Sequence, residues 1–365
     1  GSEIWIDTTG TTNWSIGKPS AGWDDGKVYL IRSKAYDGSS NQEDAKSGNT
    51  FTYDVSNPST TITSVTNNAK VKSLPSITGD TTDNAAGVSY VKISIKNVTG
   101  STWYNGTGWI GSEIWLDASG TTNWTRTSPS WIDGKNYLLK AYSVDLATND
   151  ESPGISISFT YDEVSPSSIV TVPANGNKLQ ALSYISGTAE DPINPPASLA
   201  TGINVMQVQM KRTADTKYWN GGVWDTPIAW VDVTGTTSWS YGGYTLNTGN
   251  TYIIQSRGKD YADNVETPVI DITFIYDTTA PTTVIVNPAN GANKNSLEVI
   301  SGTAIDNASG ILNVKVAINN TTDTTYWSGS NWSATETYLD TSGTDSWTYD
   351  KPSTGWTSGK NYLVK

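Results

Sequence analysis

Trp131-Ile132-Asp133-Gly134-Lys135-Asn136-Tyr137 opens a run that alternates in polarity and then passes through Asp145, Asn149, Glu151, Phe159, Tyr161 and Asp162. The same landmarks stand at Trp23, Gly26, Tyr29, Asp37, Asn41, Glu43, Phe51, Tyr53 and Asp54. They return at Leu246, Gly249, Tyr252, Asp260, Asn264, Glu266, Phe274, Tyr276 and Asp277, and a fourth copy begins at Trp356, Gly359 and Tyr362. The chain is a row of related units, and each is to be read as one module.

The spacing sets the module size. Trp14, Trp124, Trp239 and Trp347 fall 110, 115 and 108 residues apart. That is too long for a solenoid repeat and suits a domain with its own core. The expected divisions are 1–54, the C-terminal half of a module; 55–162 and 163–277, two complete modules; and 278–365, a module lacking its last strands. The second complete module carries a proline-rich insertion between Asp191 and Gly202, with Pro192, Pro195 and Pro196, as surface loops do. Gly1-Ser2-Glu3-Ile4-Trp5 repeats as Gly111-Ser112-Glu113-Ile114-Trp115, so the sequence starts inside a module. The expectation is a window on a longer chain of such modules.

Composition removes several function classes. The net charge is −12, from 35 acidic and 23 basic residues. A nucleic-acid or anionic-membrane partner needs a basic surface. No apolar run approaches the roughly 20 residues of a membrane span. Cysteine and histidine are both absent, which excludes disulfides, thiolate metal sites, cysteine nucleophiles and the commonest general base.

The local pattern is that of strands. Tyr29, Ile31, Ser33 and Ala35 alternate with Leu30, Arg32 and Lys34, the period of a half-buried antiparallel strand. The three phenylalanines of the chain, Phe51, Phe159 and Phe274, occupy one slot in three copies, which marks a core position. In the first complete module, Ile62 and Val65, then Ile77-Thr78-Gly79, then Val91, Ile93 and Ile95 read as strands. A hairpin around Asn105-Gly106 follows, then short strands at Ile114-Trp115-Leu116 and up to Trp124. About seven short strands without helical periodicity predict an antiparallel sandwich.

Asp277-Thr-Thr-Ala-Pro281, Pro288-Ala-Asn-Gly291, Ile300-Ser-Gly-Thr-Ala304 and Asp260-Tyr-Ala-Asp-Asn264 carry a resemblance. The chain resembles tandem bacterial immunoglobulin-like domains of large cell-surface proteins over essentially its whole length. The resemblance implies an all-β fold of tandem immunoglobulin-like (fibronectin type III-like) antiparallel β-sandwiches in an extended array. It also implies an extracellular or cell-surface location in a prokaryote. In such sandwiches a tyrosine opening the sixth strand bonds back across a corner. The Trp/Leu-x-x-Gly-x-x-Tyr spacing assigns that role to Tyr29, Tyr137, Tyr252 and Tyr362. With no disulfide, the core is expected to rest on Trp14, Trp124, Trp239 and Trp347.

Two constellations could carry function. The first is acidic: Asp83, Asp191 and Asp306 lie in the loop after the second strand. Asp145, Asn149, Glu151 and Asp260, Asp263, Asn264, Glu266 lie in the loop between the sixth and seventh strands. The module exits Asp54, Asp162 and Asp277 arrive at the same end of a seven-strand sandwich, so the three groups should converge. Oxygen ligands gathered from loops suit calcium, which takes six to eight oxygens in irregular geometry. Turn formation by Asp and Asn is the competing reading. The second constellation is aromatic: Trp103, Tyr104 and Trp109; Tyr218, Trp219 and Trp224; Tyr326, Trp327 and Trp332. Such hairpins either present flat rings to surface glycans or pack across strands, and the exposure of Trp219 and Trp224 decides between these.

No Gly-x-Ser-x-Gly elbow or phosphate-binding glycine loop is present, and no carboxylate pair stands above its copies. The sequence therefore reads as a non-catalytic extracellular spacer in a fibre, stalk or sheath, with neighbouring modules or copies as partners. The alternative is an adhesin or carbohydrate-binding array using the aromatic hairpins. The linkers at Pro58, Pro166 and Pro281 are short and restricted, which predicts a semi-rigid rod.

Overall fold

Residues Lys135–Asp145 turn the alternation into a strand in which Tyr137, Leu139, Ala141, Ser143 and Asp145 are all buried on one face. The structure is a computed structural model that describes residues 3–192 and 200–365. Gly1, Ser2 and, in the proline-rich insertion, Pro195 and Pro196 lie outside the described residues. The chain is all-β, with multiple antiparallel sheets arranged as tandem β-sandwich modules.

Near the start, β1 (Lys27–Ile31) and β2 (Asn49–Tyr53) pair antiparallel, with Tyr29 opposite Phe51. The next strands are β3 (Ser59–Ile62), β4 (Ala69–Val71), β5 (Ser76–Thr82), β6 (Val88–Asn97) and β7 (Thr102–Tyr104). They are followed by β8 (Trp109–Ile110), β9 (Leu116–Asp117), β10 (Asn123–Thr127), β11 (Lys135–Asp145) and β12 (Ile155–Tyr161). One sheet has the order β10-β5-β3; the other runs β4-β12-β11-β6-β7-β8, with β9 also against β6. The first strand of this larger sheet joins parallel to the last, pairing Ala69 with Phe159 and Val71 with Tyr161. Ten strands stand where the sequence suggests about seven. The extra pieces have two or three residues, too few to show a period.

Between the sheets lie Ile77, Ile93, Ile95, Trp124, Tyr137, Leu139 and Phe159. Trp124 packs flat against Gly79, where a Cβ would collide with both the indole ring and the Thr61 carbonyl oxygen. The same glycine-on-tryptophan contact recurs at Gly187 with Trp239 and at Gly302 with Trp347. The four corner tyrosines behave as the spacing predicts. The Tyr29, Tyr137, Tyr252 and Tyr362 hydroxyls accept from the backbone N–H of Asp24, Ile132, Asn247 and Thr357 at 2.7, 2.8, 2.8 and 2.9 Å. Burial pushes the Tyr137 phenol up to about 12.

Trp14 differs from its copies. Trp14 is 48% exposed, against 1% for Trp124. Its backbone neighbourhood is kept, since Thr9 and Ser15 pair as Ser119 and Thr125 do. Among the described residues its ring has no counterpart of the Gly79 strand to rest on.

The same plan repeats over Ser167–Tyr276, with a three-stranded sheet and a larger sheet whose Asn177–Leu179 strand again runs parallel to the last, Ile272–Tyr276. Over Thr282–Val364 the strands through the start of the sixth are present, around Ile300, Val316, Ile318, Trp327 and Trp347. By contact the chain falls into two compact units. One comprises Gly1–Pro166 with Asp191–Ile203 and Lys259–Val265. The other comprises Ser167–Glu190, Asn204–Gly258 and Glu266–Lys365. Two loops of the third module therefore group with the residues before it, and those loops hold acidic residues singled out from the sequence.

Candidate functional site

Each module ends on an aspartate that leaves the last strand as it enters the proline linker. A carboxylate there can accept from backbone N–H groups ahead of it, and all three do so. Asp54 accepts from Ser56 N–H at 3.1 Å and from Ala86 N–H at 2.7 Å. Asp162 accepts from Val164 at 3.2 Å and Thr201 at 2.9 Å. Asp277 accepts from Thr279 and Ser309, both at 3.0 Å. One oxygen thus holds the linker and the other holds the first long loop of the following module.

The F–G-type loop, which joins β11 to β12, comes to the same place. Asp145 accepts from Asn149 through both oxygens, from the backbone N–H at 2.8 Å and from Nδ2 at 2.7 Å. Asn149 Nδ2 also donates to the Asp54 carbonyl oxygen at 3.1 Å. The second copy repeats this: Asp260 is bonded by the N–H and Nδ2 of Asn264, and Asn264 Nδ2 reaches the Asp162 carbonyl at 2.8 Å. Asp83 and Asp191 complete the sets. Carboxylate oxygens of Asp54, Asp83 and Asp145 lie within 4.8 Å of one another, as do those of Asp162, Asp191 and Asp260.

The remaining candidates stand elsewhere. Glu151 accepts from Thr60 N–H at 2.7 Å and from Ser143 N–H and Oγ at 3.1 Å, tying β3 to β11. Glu266 does the same with Ser168 and Gly258. Asp263 is exposed and paired with Lys259 at 2.6 Å. Asp306 accepts from Ala308 and Gly310 N–H at 3.0 and 2.8 Å, beside Ser309, which Asp277 holds.

Two residues of the site escaped the sequence reading. Asp25 accepts from Val55 N–H, Ser56 Oγ and Asn84 Nδ2. Those bonds, that from the Ser56 hydroxyl first, hold its carboxyl below the usual range. Its counterpart Asp133 accepts from Glu163 N–H at 2.8 Å. Burial pushes Asp133 up, and the neighbouring Asp162 and Glu163 add to the shift. The signal was an aspartate before the glycine of the opening stretch, present in two copies and replaced by Thr248 and Ser358 in the others.

The donor set fits a hard divalent cation. Calcium–oxygen distances of about 2.3–2.6 Å place opposed ligands roughly 5 Å apart, which agrees with the carboxylate separations. Asp83 Oδ1 and Asp191 Oδ1 are buried and have no hydrogen-bond donor, and Thr201 Oγ1 beside the second set is likewise without a partner. Among the described residues, no lysine or arginine forms an ion pair with any of the six carboxylates. Burial first, then the charges of Asp162, Asp260 and Asp133, push Asp191 up to about 6.

The aromatic hairpins turn inward. Trp219 is 3% exposed, and its Nε1 donates to the Tyr241 hydroxyl at 2.7 Å. Trp224 lies 5.2 Å from the Tyr252 ring and donates to the Thr245 carbonyl. Trp327 and Trp332 repeat the arrangement, with Trp332 5.6 Å from Tyr362, and Trp109 lies 5.7 Å from Tyr137. The outer rings, Trp103, Tyr218 and Tyr326, carry lysine ammonium groups of Lys96, Lys211 and Lys365.

Among solved structures, the chain is similar to the fibronectin(III)-like modules of Clostridium thermocellum CbhA. The identity is 18%, over 60% of this chain and 94% of that one, with a TM-score of 0.31. It is similar to the FN1-FN3 domains of chicken CNTN1 at 12% identity, over 84% of this chain and 91% of that one, with a TM-score of 0.23. No family model and no curated protein matches the chain. Among the described residues no helix is long and apolar enough to cross a membrane.

Proposed function

We propose that this segment is a non-catalytic repeat element of a prokaryotic extracellular fibre, stalk or sheath, a semi-rigid spacer whose module junctions are closed by calcium. Its partners are neighbouring modules, in the same chain or in other copies. The observation that carries the reading is the exit aspartate. Asp54, Asp162 and Asp277 each bind the linker with one oxygen and the next loop with the other. These carboxylates recur with the same linker and loop hydrogen bonds, as structural residues do.

In this reading Asp54, Asp83 and Asp145 hold one cation and Asp162, Asp191 and Asp260 another. Asn149 and Asn264 orient the deepest carboxylate of each set. The bound ion would supply the positive charge that three neighbouring carboxylates lack. The alternative of glycan stacking on the aromatic hairpins loses support from the burial of Trp219 and the packing of Trp224, because stacking a sugar needs an open ring face.

The test is small-angle scattering and calorimetry of the chain in excess calcium and in excess chelator. Expected is a higher melting temperature and a longer maximum dimension in calcium, by mass action on the folded junction. Identical melting and identical dimensions in the two conditions would overturn the calcium closure. Modules folded back on one another in both would overturn the spacer.

A further inference from the structure

Buried polar atoms without partners gather at few places in this chain. The tryptophans on glycine account for three indole N–H groups and the junctions for Asp83, Asp191 and Thr201. A third place is used by neither: Arg126 Nε and Ser128 Oγ are both buried and both unpaired. The residues Arg126 and Ser128 line one open cleft of about 380 Å³, together with Tyr104, Asp117, Ser119 and Thr127. That volume lies in the range of small-ligand sites.

The repeats differ at two of the residues that line this cleft. At the position of Tyr104 the later modules have Trp219 and Trp327, and at the position of Arg126 they have Tyr241 and Tyr349. There the tyrosine hydroxyl accepts from the indole N–H at 2.7 and 3.2 Å, and the pair closes the space. In the second module both members change together. Tyr104 turns its hydroxyl to the Gly106 carbonyl at 2.7 Å, and Arg126 makes one bond, from Nη1 to the Asp117 carbonyl at 3.0 Å.

The guanidinium has no carboxylate partner among the described residues. Asp117, the one acidic side chain at the cleft, is paired with Lys92. A planar fork of five N–H donors with a single bond made is a receptor for a carboxylate. The hydroxyls of Ser119, Thr127 and Ser128 beside it are donors and acceptors suited to a polyol.

We propose that this cleft is a binding site for a carboxylate-bearing sugar residue, a uronic acid of a surface polysaccharide. Arg126 takes the carboxylate and the surrounding serine and threonine hydroxyls take the ring hydroxyls. The site uses none of the junction carboxylates.

The test is titration of the whole chain, in chelator, with glucuronate, glucose and acetate, following the Arg126 Nε–Hε resonance by NMR. Expected is a saturable shift with glucuronate at a Kd of ~1–10 mM, and responses at least about tenfold weaker with glucose or acetate. Restoring the pair of the later modules, Tyr104→Trp with Arg126→Tyr, should abolish the glucuronate response read on neighbouring amides. Arg126→Lys keeps the charge without the fork and should weaken binding about fivefold or more. No saturable shift with glucuronate, an equal response to acetate, or unchanged binding by Arg126→Lys would overturn the assignment.

Discussion

Replacing Asp191 by asparagine should change sign with calcium. Metal-free, the Asp191 carboxyl is pushed up to about 6 by burial and by Asp162, Asp260 and Asp133. An unfolded aspartate titrates near 3.9. The folded state therefore holds the proton more tightly, and ionisation opposes folding. The opposition is complete above the folded value, shrinks as the pH falls through about 6, and is gone below about 4. A shift of about two units corresponds to roughly 3 kcal/mol, and because part of the group reaches solvent the effective figure is about 1 kcal/mol. Asp191→Asn keeps an acceptor for the Gly202 N–H, now held at 2.6 Å. In chelator near pH 7 the variant should therefore be about 1 kcal/mol more stable than the parent, and the gain should vanish near pH 4. In calcium the order should reverse, because the parent gains about 2.7 kcal/mol at a hundredfold excess over Kd and the variant loses a ligand. Urea unfolding at the two pH values, with and without calcium, measures all four states. A variant less stable than the parent in chelator at neutral pH, or one equally stabilised by calcium, would refute the reasoning.

Gly79→Ala should destabilise the second module by ~3 kcal/mol, the upper end for overpacking, because one of the two clashes is with the Thr61 backbone oxygen, which no side-chain rotation relieves; calorimetry of the variant measures it. Tyr252→Phe should cost ~1–2 kcal/mol, since the Asn247 N–H then loses its 2.8 Å acceptor, and amide exchange at Asn247 should quicken first.

The repeat, the strand alternation and the corner tyrosines could be read from the sequence because each is a local spacing. Convergence of the exit, first-loop and F–G aspartates was also legible, since a seven-strand sandwich brings those loops to one end. The division of labour among the acids was not. Glu151 and Glu266 sit in the same loop as Asp145 and Asp260, yet they bond across to Thr60 and Ser168, partners 91 and 98 residues away. Asp25 and Asp133 precede a glycine, while their contacts at Val55 and Glu163 lie in the linkers. The Tyr104 and Arg126 exchange was visible in the repeats, but its meaning needed the knowledge that the two slots touch.

The parallel pairing of Ala69–Val71 with Phe159–Tyr161 governs how a module answers a pull. Tension applied at its two ends draws these neighbouring strands in opposite directions along their own length. The bonds between them are then loaded in shear, all at once, instead of being opened one after another from an end. Rupture needs their simultaneous failure, so the module resists force along the chain more than the same bonds opened in turn would. In the proposed spacer, a row of such modules is a tether whose links yield one at a time.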